Sequence, residues 1–500
     1  MIRATALLAA AALAATRLAA SSGVVFEDTN ANGTREPGEL GVPSVQVSNG
    51  VDIAVTDSSG AYQIADRQGA GVFVIKPRGW QPGLDSSGRP RFHAPAGAHA
   101  DFGLTRTNEP DEMKILVMTD PQPISPEEVG YLDRGVISKI GRRKDITLGV
   151  TLGDVVYDRT DLLGQVSAVI SKTGIPWYNV PGNHDLVLGT PDEAAAIAPF
   201  ESVFGPSTYA FHAGPALFIA LDDVRPIGGP RYVGGLRQDQ FEFIGNLLRQ
   251  SPMSEWVVVM MHIPMFSPDA MGTEGFRTTD RLRLFALLKN RPHPLILSGH
   301  THYQRHVNYS AADGWNGAAA LHDYNVAAAC GGFWGGPKDA DGIPVSTMWD
   351  GTPPGYAVVG FKGDSVSMDY VPARYPADHQ MSLHAPAVLA PKLGYISYFA
   401  NVFNGDDSWS VSARIDDRAW VPIRRLVGWD PTYAADFLAQ DSSPKATAGK
   451  RLPDPVVCYH LWHGYLPADM GLGRHVLQVK AVQPGGREYV AQQDIQVANP

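Results

Sequence analysis

The sequence predicts an α/β protein: a layered central domain with covered β-sheets, set between two smaller β-sandwich domains. Three observations predict it. From Met113 to about Tyr370, buried apolar strands alternate with helical stretches, whereas on either side short segments of alternating polarity are separated by Gly, Pro, Asn and Asp clusters. At 500 residues the chain exceeds the roughly 100 to 200 residues that one hydrophobic core usually serves, so about three domains are expected. Apolar residues make up 44% and charged residues 18%, a globular composition with ample material for a core.

Residues 1–21 combine Arg3, an Ala/Leu-rich run from Ala4 to Ala15, and small residues (Ala19, Ala20, Ser21, Ser22) where a peptidase could cut. This is the pattern of a secretory signal peptide, and it predicts an exported protein, periplasmic or secreted. The run is too short and too Ala-rich to span a membrane, and no later stretch approaches about 20 uninterrupted apolar residues. The formal net charge is −10, and loss of Arg3 and Arg17 with the leader would lower it to −12. General nucleic-acid or anionic-membrane binding needs clustered Lys and Arg, so those partners are set aside.

Residues 22–105 carry the alternating segments Ser44–Val47, Ala54–Thr56, Ala61–Ile64 and Gly71–Ile75, the pattern of the first sandwich. Arg106–Pro110 reads as a linker. The central domain, 111–371, is expected to place strands at Lys114–Met118, Ile146–Leu152, Ala216–Leu221, Trp256–Met261 and Pro294–Ser298, with helices over Leu162–Thr173, Gln238–Arg249 and Thr279–Lys289. Pro372–Pro391 connects to a second β-domain, 392–500, with segments at Trp409–Ile415, His475–Val482 and Tyr489–Val497. The polar stretch Leu426–Leu452 is expected to be irregular.

Polar residues sit at the ends of the central strands. Asp120 and Gln122 follow the first; Gly153-Asp154-Val155-Val156-Tyr157-Asp158 follows the second; Gly182-Asn183-His184-Asp185 follows Trp177–Val180. His262 and then Gly299-His300-Thr301-His302 end the later two. Ligands bind at the carboxyl ends of strands in layered α/β proteins, so these side chains should converge. Carboxylate, amide oxygen and imidazole together suit Mn, Fe, Zn or Mg. The glycines before Asp154, Asn183 and His300 are expected to let the backbone turn sharply.

These blocks resemble those of the calcineurin-like metallophosphoesterase superfamily, which run D-x-H, G-D-x-x-D, G-N-H-D/E, H and G-H-x-H, and the match extends across roughly Met113 to Tyr370. The resemblance implies two mixed β-sheets flanked by helices, two divalent metal ions and a small phosphorylated substrate. It implies further that Asp154 bridges both ions, that Asp120, Gln122 and His302 complete one site, and that Asn183, His262 and His300 complete the other. A bridging hydroxide would attack phosphorus in line with the leaving group, and His184 would be the catalytic imidazole. Two departures stand out. Gln122 replaces the usual His, as in D-x-Q branches of the superfamily, and favours a harder ion such as Mn or Mg. Asp158 lies one residue later than in the short form of its block, so Asp158 and Asp185 compete to orient His184.

Other residues have competing readings. Asp28-Thr29-Asn30-Ala31-Asn32-Gly33 with Glu39 fits an oxygen-rich calcium loop without flanking helices, and Asp28, Asn30, Asn32 and Glu39 are its candidate ligands. The alternative is a turn-rich loop without metal. Asp222 and Asp223 match no block and read as structural, His212 and His306 as surface or supporting residues, and Arg231 and Arg277 as solvated. The aromatic loop Cys330-Gly331-Gly332-Phe333-Trp334-Gly335-Gly336 resembles a segment of exported three-domain superfamily members; it is either a pocket wall or buried packing. Cys330 and Cys458 are expected as two buried free thiols in preference to one disulfide. Two other functions compete with phosphate ester hydrolysis: a surface or adhesion protein with a vestigial catalytic domain, and a metal-dependent hydrolase of non-phosphate esters. A complete ligand set argues against the first.

Overall fold

The structure is a computed structural model and describes residues 20–67, 71–95, 97, 99–190, 192–267, 274–391, 395–442 and 451–499. The predicted leader lies outside the described residues except at its end, where the first strand, Ala20–Glu27, starts two residues ahead of the predicted sandwich and buries Ser21.

Two sheets face each other in the central region. The first joins β1 (Glu112–Met118), β2 (Leu148–Leu152), β3 (Trp177–Val180), β10 (Gly355–Lys362) and β11 (Ser365–Pro372) in the order β3-β2-β1-β10-β11. The second joins β4 (Tyr209–Ala213), β5 (Ala216–Ala220), β6 (Trp256–Met260), β7 (Pro294–Ser298), β8 (Arg305–Tyr309) and β9 (Leu321–Asn325) in the order β4-β5-β6-β7-β9-β8. Both are mixed. In the first, β1, β2 and β3 are parallel and β10 runs antiparallel to β1; in the second, β5, β6, β7 and β9 are parallel between antiparallel edge strands.

Strand β1 shows why its sequence is apolar throughout. Ile115 and Val117 point into the core between the sheets, beside Val150 and Leu152. Leu116 and Met118, one residue out of phase, pack outward with Val129, Leu132 and Val136. The outer face of the second sheet is covered by helices Gln238–Gln250 and Thr278–Leu288 through Phe241, Ile244, Leu248, Leu284 and Leu288, spaced three and four apart. All five predicted strands and all three predicted helices are present, within a few residues of their predicted ends.

The N-terminal region forms two four-stranded sheets. Inner side chains of both (Val47 and Phe73 of one, Val25 and Phe102 of the other) belong to the same apolar cluster as the central sheets. Buried Lys76 reinforces that junction: its ammonium pairs with Glu109 and donates to the His212 carbonyl at 2.7 Å. The C-terminal region has a four- and a five-stranded sheet around its own core, with Tyr398, Trp462 and Leu477 at its centre. One expectation is corrected here. Within the stretch Leu426–Leu452, a strand, Arg424–Gly428, pairs with Cys458–Tyr465, and a helix, Pro431–Asp441, starts at Asp430, whose side chain accepts from the Tyr433 N–H. The reason is local: Asp at the N-cap followed by Pro at the first helical position starts a helix even where the stretch is polar. Residues 443–450 lie outside the described residues. No helix among the described residues is long and apolar enough to cross a membrane.

Candidate metal centre

Asp120, Asp154, His262 and His300 each follow the last residue of β1, β2, β6 and β7 by two positions, and Asn183 follows the end of β3 by three. Parallel strands in facing sheets thus deliver their next polar residues to one place. The backbone there is strained. Asp120, Gln122, Asp154, His300 and His302 have φ of 50°, 41°, 50°, 76° and 54°, in the left-handed region that side chains larger than glycine avoid. Such strain gathers at functional sites, at a cost of about 1 to 3 kcal/mol per residue. The glycines of the blocks serve two different needs. Gly153 supplies a positive φ of 84°, as expected from its place before a turn. Gly182 does not: its φ is −115°, and it is needed because a Cβ would stand 2.3 Å from the Asp154 nitrogen.

All seven predicted ligands are buried. His262 donates from Nδ1 to the Leu152 carbonyl at 2.8 Å and turns Nε2 inward. That Nε2 lies 3.2 Å from Asn183 Oδ1, 3.1 Å from His300 Nδ1 and 3.3 Å from Asp154 Oδ1. His302 is fixed in the same manner, with Nδ1 on the Gly331 carbonyl at 2.6 Å and Nε2 3.6 Å from Asp120 Oδ1. A carbonyl on one ring nitrogen selects the tautomer that leaves the other as an electron-pair donor. Gln122 presents Nε2 to Asp154 Oδ2 at 2.5 Å. Ligation through its oxygen therefore requires a half-turn of the amide, which exchanges isosteric ends.

The cluster is electrostatically unbalanced without a cation. Burial, with Asp154 added, pushes the Asp120 carboxyl above the usual range. Burial acts the same way on Asp154, but His262 and His184 outweigh it and hold Asp154 low. Burial and the facing His262 drive His300 far below an ordinary imidazole. Asp120 Oδ1 and His300 Nε2 are buried without a hydrogen-bond partner. Asp154, His262 and His300 bring three donor atoms within 4.8 Å of one another. Carboxylate, amide and imidazole donors converging on one buried point, with an orphaned carboxylate oxygen among them, fit divalent metal ions that would replace the missing protons.

His184 sits at the edge, half-buried. Its N–H donates to Asp154 Oδ1 at 2.9 Å and its Nδ1 lies 2.8 Å from Asp158 Oδ1. Burial alone would depress this imidazole, but Asp154 and Asp158 outweigh it and raise it above the ordinary histidine range. Of the two competing partners, Asp158 is the one on the ring. Asp185 instead accepts from the N–H groups of Val155, Val156 and Gly182, at 3.1, 3.0 and 2.9 Å, and ties two of the blocks together.

Reading by motif passed over several residues. Asp223 is buried and accepts from the N–H groups of His262 and Ile263 at 3.2 and 2.8 Å, so it sets the turn that carries His262. No block contains it; its only signal was a carboxylate at a strand end. Tyr157 stacks on His184 with ring centroids 3.9 Å apart, Trp349 stacks on His302 at 5.3 Å, and the Tyr232 ring stands 6.1 Å from His300. Both readings of the aromatic loop hold, for different residues. Trp334 is buried and donates to the Pro121 carbonyl at 2.8 Å, whereas half-buried Phe333 faces a cavity. Arg231 and Arg277 are exposed, as expected, and Cys330 and Cys458 are free, buried thiols. His306 is half-buried, hydrogen-bonded to His322 and to Asn404.

In the N-terminal loop Asp28 is fully buried and accepts from the N–H groups of Asn32 and Gly33 at 3.2 and 2.7 Å. Asn30 and Asn32 accept from the N–H groups two residues ahead, and Glu39 accepts from those of Thr29 and Glu36. The four predicted ligands close one loop through hydrogen bonds of their own.

Three family models match consecutive stretches of the chain. They are described as the N terminal of calcineurin-like phosphoesterase (residues 29–107), calcineurin-like phosphoesterase (113–304) and the C terminal of calcineurin-like phosphoesterase (323–489). No curated protein matches. Among solved structures, the chain is similar to the purple acid phosphatase PPD1 from yellow lupin (Lupinus luteus) seeds, at 13% identity over 66% of this chain and 67% of that one, with a TM-score of 0.38. It is also similar to a metallophosphoesterase from Sphaerobacter thermophilus, at 15% identity over 52% of this chain and 90% of that one, with a TM-score of 0.24. Neither likeness is tight enough to transfer a residue's role.

Proposed function

Because this chain belongs to the calcineurin-like phosphoesterase family, and is by that membership a metal-dependent hydrolase of phosphate esters, we propose that it works through a dinuclear centre bridged by Asp154. One observation carries the proposal: the two Asp154 oxygens face different groups. Oδ1 faces His262 Nε2 at 3.3 Å, beside which lie Asn183 and His300, and Oδ2 faces Gln122 at 2.5 Å, whose amide shares the Cys330 thiol with the His302 ring. Asn183, His262 and His300 would hold one ion; Asp120, Gln122 and His302 would hold the other. When bound, the two ions supply a hydroxide nucleophile at neutral pH and a counter-charge for the phosphate.

The chain's own residues do the rest. The carbonyls of Leu152 and Gly331 keep His262 and His302 in the ligating tautomer. Asp158 orients His184, which keeps a proton for the leaving alkoxide. Tyr157, stacked on that imidazole, shields it from water. For the N-terminal loop we propose calcium as a structural ion held by Asp28, Asn30, Asn32 and Glu39, supported by their spacing along the sequence and by the single loop their side chains close. Export is likewise proposed, on the leader-like residues 1–21, and a fractionation of the expressing cell tests it.

The reaction is tested with purified protein reloaded with Mn²⁺ and assayed on p-nitrophenyl phosphate and bis-p-nitrophenyl phosphate. Turnover of at least one is expected, and both esters left intact with metal demonstrably bound would overturn the reading.

A further inference from the structure

Beside His184 lies a cavity of about 250 Å³ lined by Gln122, Ile124, Tyr157 and Phe333. We propose that it is the subsite for the leaving group of the ester, and that it selects a flat aromatic ring. The proposal rests on the phosphoesterase reading above and names the substrate class for it.

Position comes first. Gln122 is both a wall of the cavity and part of the first metal block. Tyr157 is stacked on the His184 imidazole, 3.9 Å between centroids and 20° between planes, and Phe333 stands edge-on to Tyr157 at 5.7 Å and 88°. Phe333 also lies 4.4 Å from the His302 ring. The cavity therefore spans from the metal ligands to the imidazole that protonates the departing oxygen, which is where a leaving group must sit for in-line displacement.

The walls decide the chemistry. Two aromatic rings, a branched aliphatic chain and an amide make a lining without a charged side chain. Arg159, which donates to the Ile124 carbonyl at 3.0 Å, is committed: it forks onto both oxygens of Asp161. A second phosphate or a carboxylate on the leaving group would find no charged partner on these walls. A planar ring would instead meet edge and face partners. The volume suits it, since a cavity of about 150 Å³ already accepts benzene.

The backbone supports the same conclusion. Gly331, Phe333 and Trp334 all have left-handed φ, of 58°, 56° and 52°. A side chain on Gly331 would collide with the Ser346 carbonyl at 1.7 Å. Two consecutive bulky residues in this conformation cost energy that packing alone would select against. Trp334 anchors the turn through Pro121, and the result is Phe333 held at the cavity wall.

The test is calorimetric binding of benzylphosphonate and ethylphosphonate to Mn²⁺-loaded full-length protein; a methylene replaces the bridging oxygen in both, so ring recognition is read with no ester bond to cleave. The wild type is expected to bind benzylphosphonate about tenfold or more tighter. Ile124→Trp, which fills the space from a residue that is not itself a metal ligand, and Phe333→Leu, which removes the ring but keeps bulk against His302, should each bring the two affinities within about twofold by weakening benzylphosphonate. A wild type without preference for the ring, or a preference that survives Ile124→Trp, overturns the subsite. Failure of the wild type to hydrolyse either nitrophenyl ester with metals bound would instead strike the phosphoesterase reading, and the binding preference would still be read independently.

Discussion

Asp154 and His184 are neighbours with different duties, and substitution should separate them. Asp154 presents an oxygen to each half of the cluster, so Asp154→Asn should lower kcat/KM by roughly 10³-fold or more and deplete bound metal. His184 hydrogen-bonds to the cluster through its backbone N–H and keeps its ring at the edge, so His184→Ala should lose about 10²- to 10⁴-fold in kcat with both metals retained. Metal analysis beside steady-state kinetics checks the pair. An emptied site in His184→Ala would show that the ring is a ligand. The two aspartates that compete in the sequence part in the same way. Asp158→Asn, on the imidazole, should reduce kcat about 10- to 100-fold without a change in melting temperature. Asp185→Asn weakens the acceptor of three backbone donors and should cost about 1 to 3 kcal/mol of stability in denaturant titration.

Elements were legible wherever one physical pattern dominated. Strands β1, β2, β5, β6 and β7 are covered on both faces, which forces continuous apolar runs, and the polar residues that follow β1, β2, β6 and β7 mark the site. Residues without such a pattern stayed hidden. Asp223 works through backbone N–H groups and leaves no motif, and Tyr157 and Phe333 meet His184 and His302 only through the fold. Glycine was legible as a requirement but not as a reason, since Gly153 answers a positive φ and Gly182 a close approach. The N-terminal loop was legible as a closed turn of oxygen donors. There, Asp28→Ala should cost about 1 to 3 kcal/mol by removing the acceptor of the Gly33 N–H and one of the two acceptors of the Asn32 N–H, with turnover per folded molecule unchanged. Calcium should raise the wild-type melting temperature, and indifference to calcium and chelator would remove the ion while leaving the loop.

At the scale of the whole molecule, the C-terminal region reaches further toward the centre than the chain's linear order suggests. Asp350 accepts from the Gln304 N–H at 2.9 Å, from the Thr352 N–H at 2.9 Å and from His460 at 2.9 Å, and Asn401 donates to its carbonyl at 2.8 Å. His460 and Asn401 belong to C-terminal strands, Gln304 lies two residues after His302, and Trp349, next to Asp350, stacks on the His302 ring. A β-domain that the sequence sets off by the connector Pro372–Pro391 thus braces the loop of His302, a proposed metal ligand. No local pattern could announce this, because the partners are separated by up to 110 residues. Asp350→Ala leaves several buried donors unpaired and should cost about 2 to 5 kcal/mol, with weaker metal binding at the site that contains His302. Differential scanning fluorimetry and metal titration check both parts; a destabilised protein with unchanged metal affinity would confine the network to stability.

The dinuclear centre itself is tested most directly by the stoichiometry of activation. Metal-stripped protein is titrated with Mn²⁺, and ions bound per chain are measured beside the rate on the better nitrophenyl ester. Turnover should be absent without metal, remain low up to one ion per chain and saturate at two. Full activity at a single ion, or turnover that persists in the stripped protein, would contradict a centre bridged by Asp154.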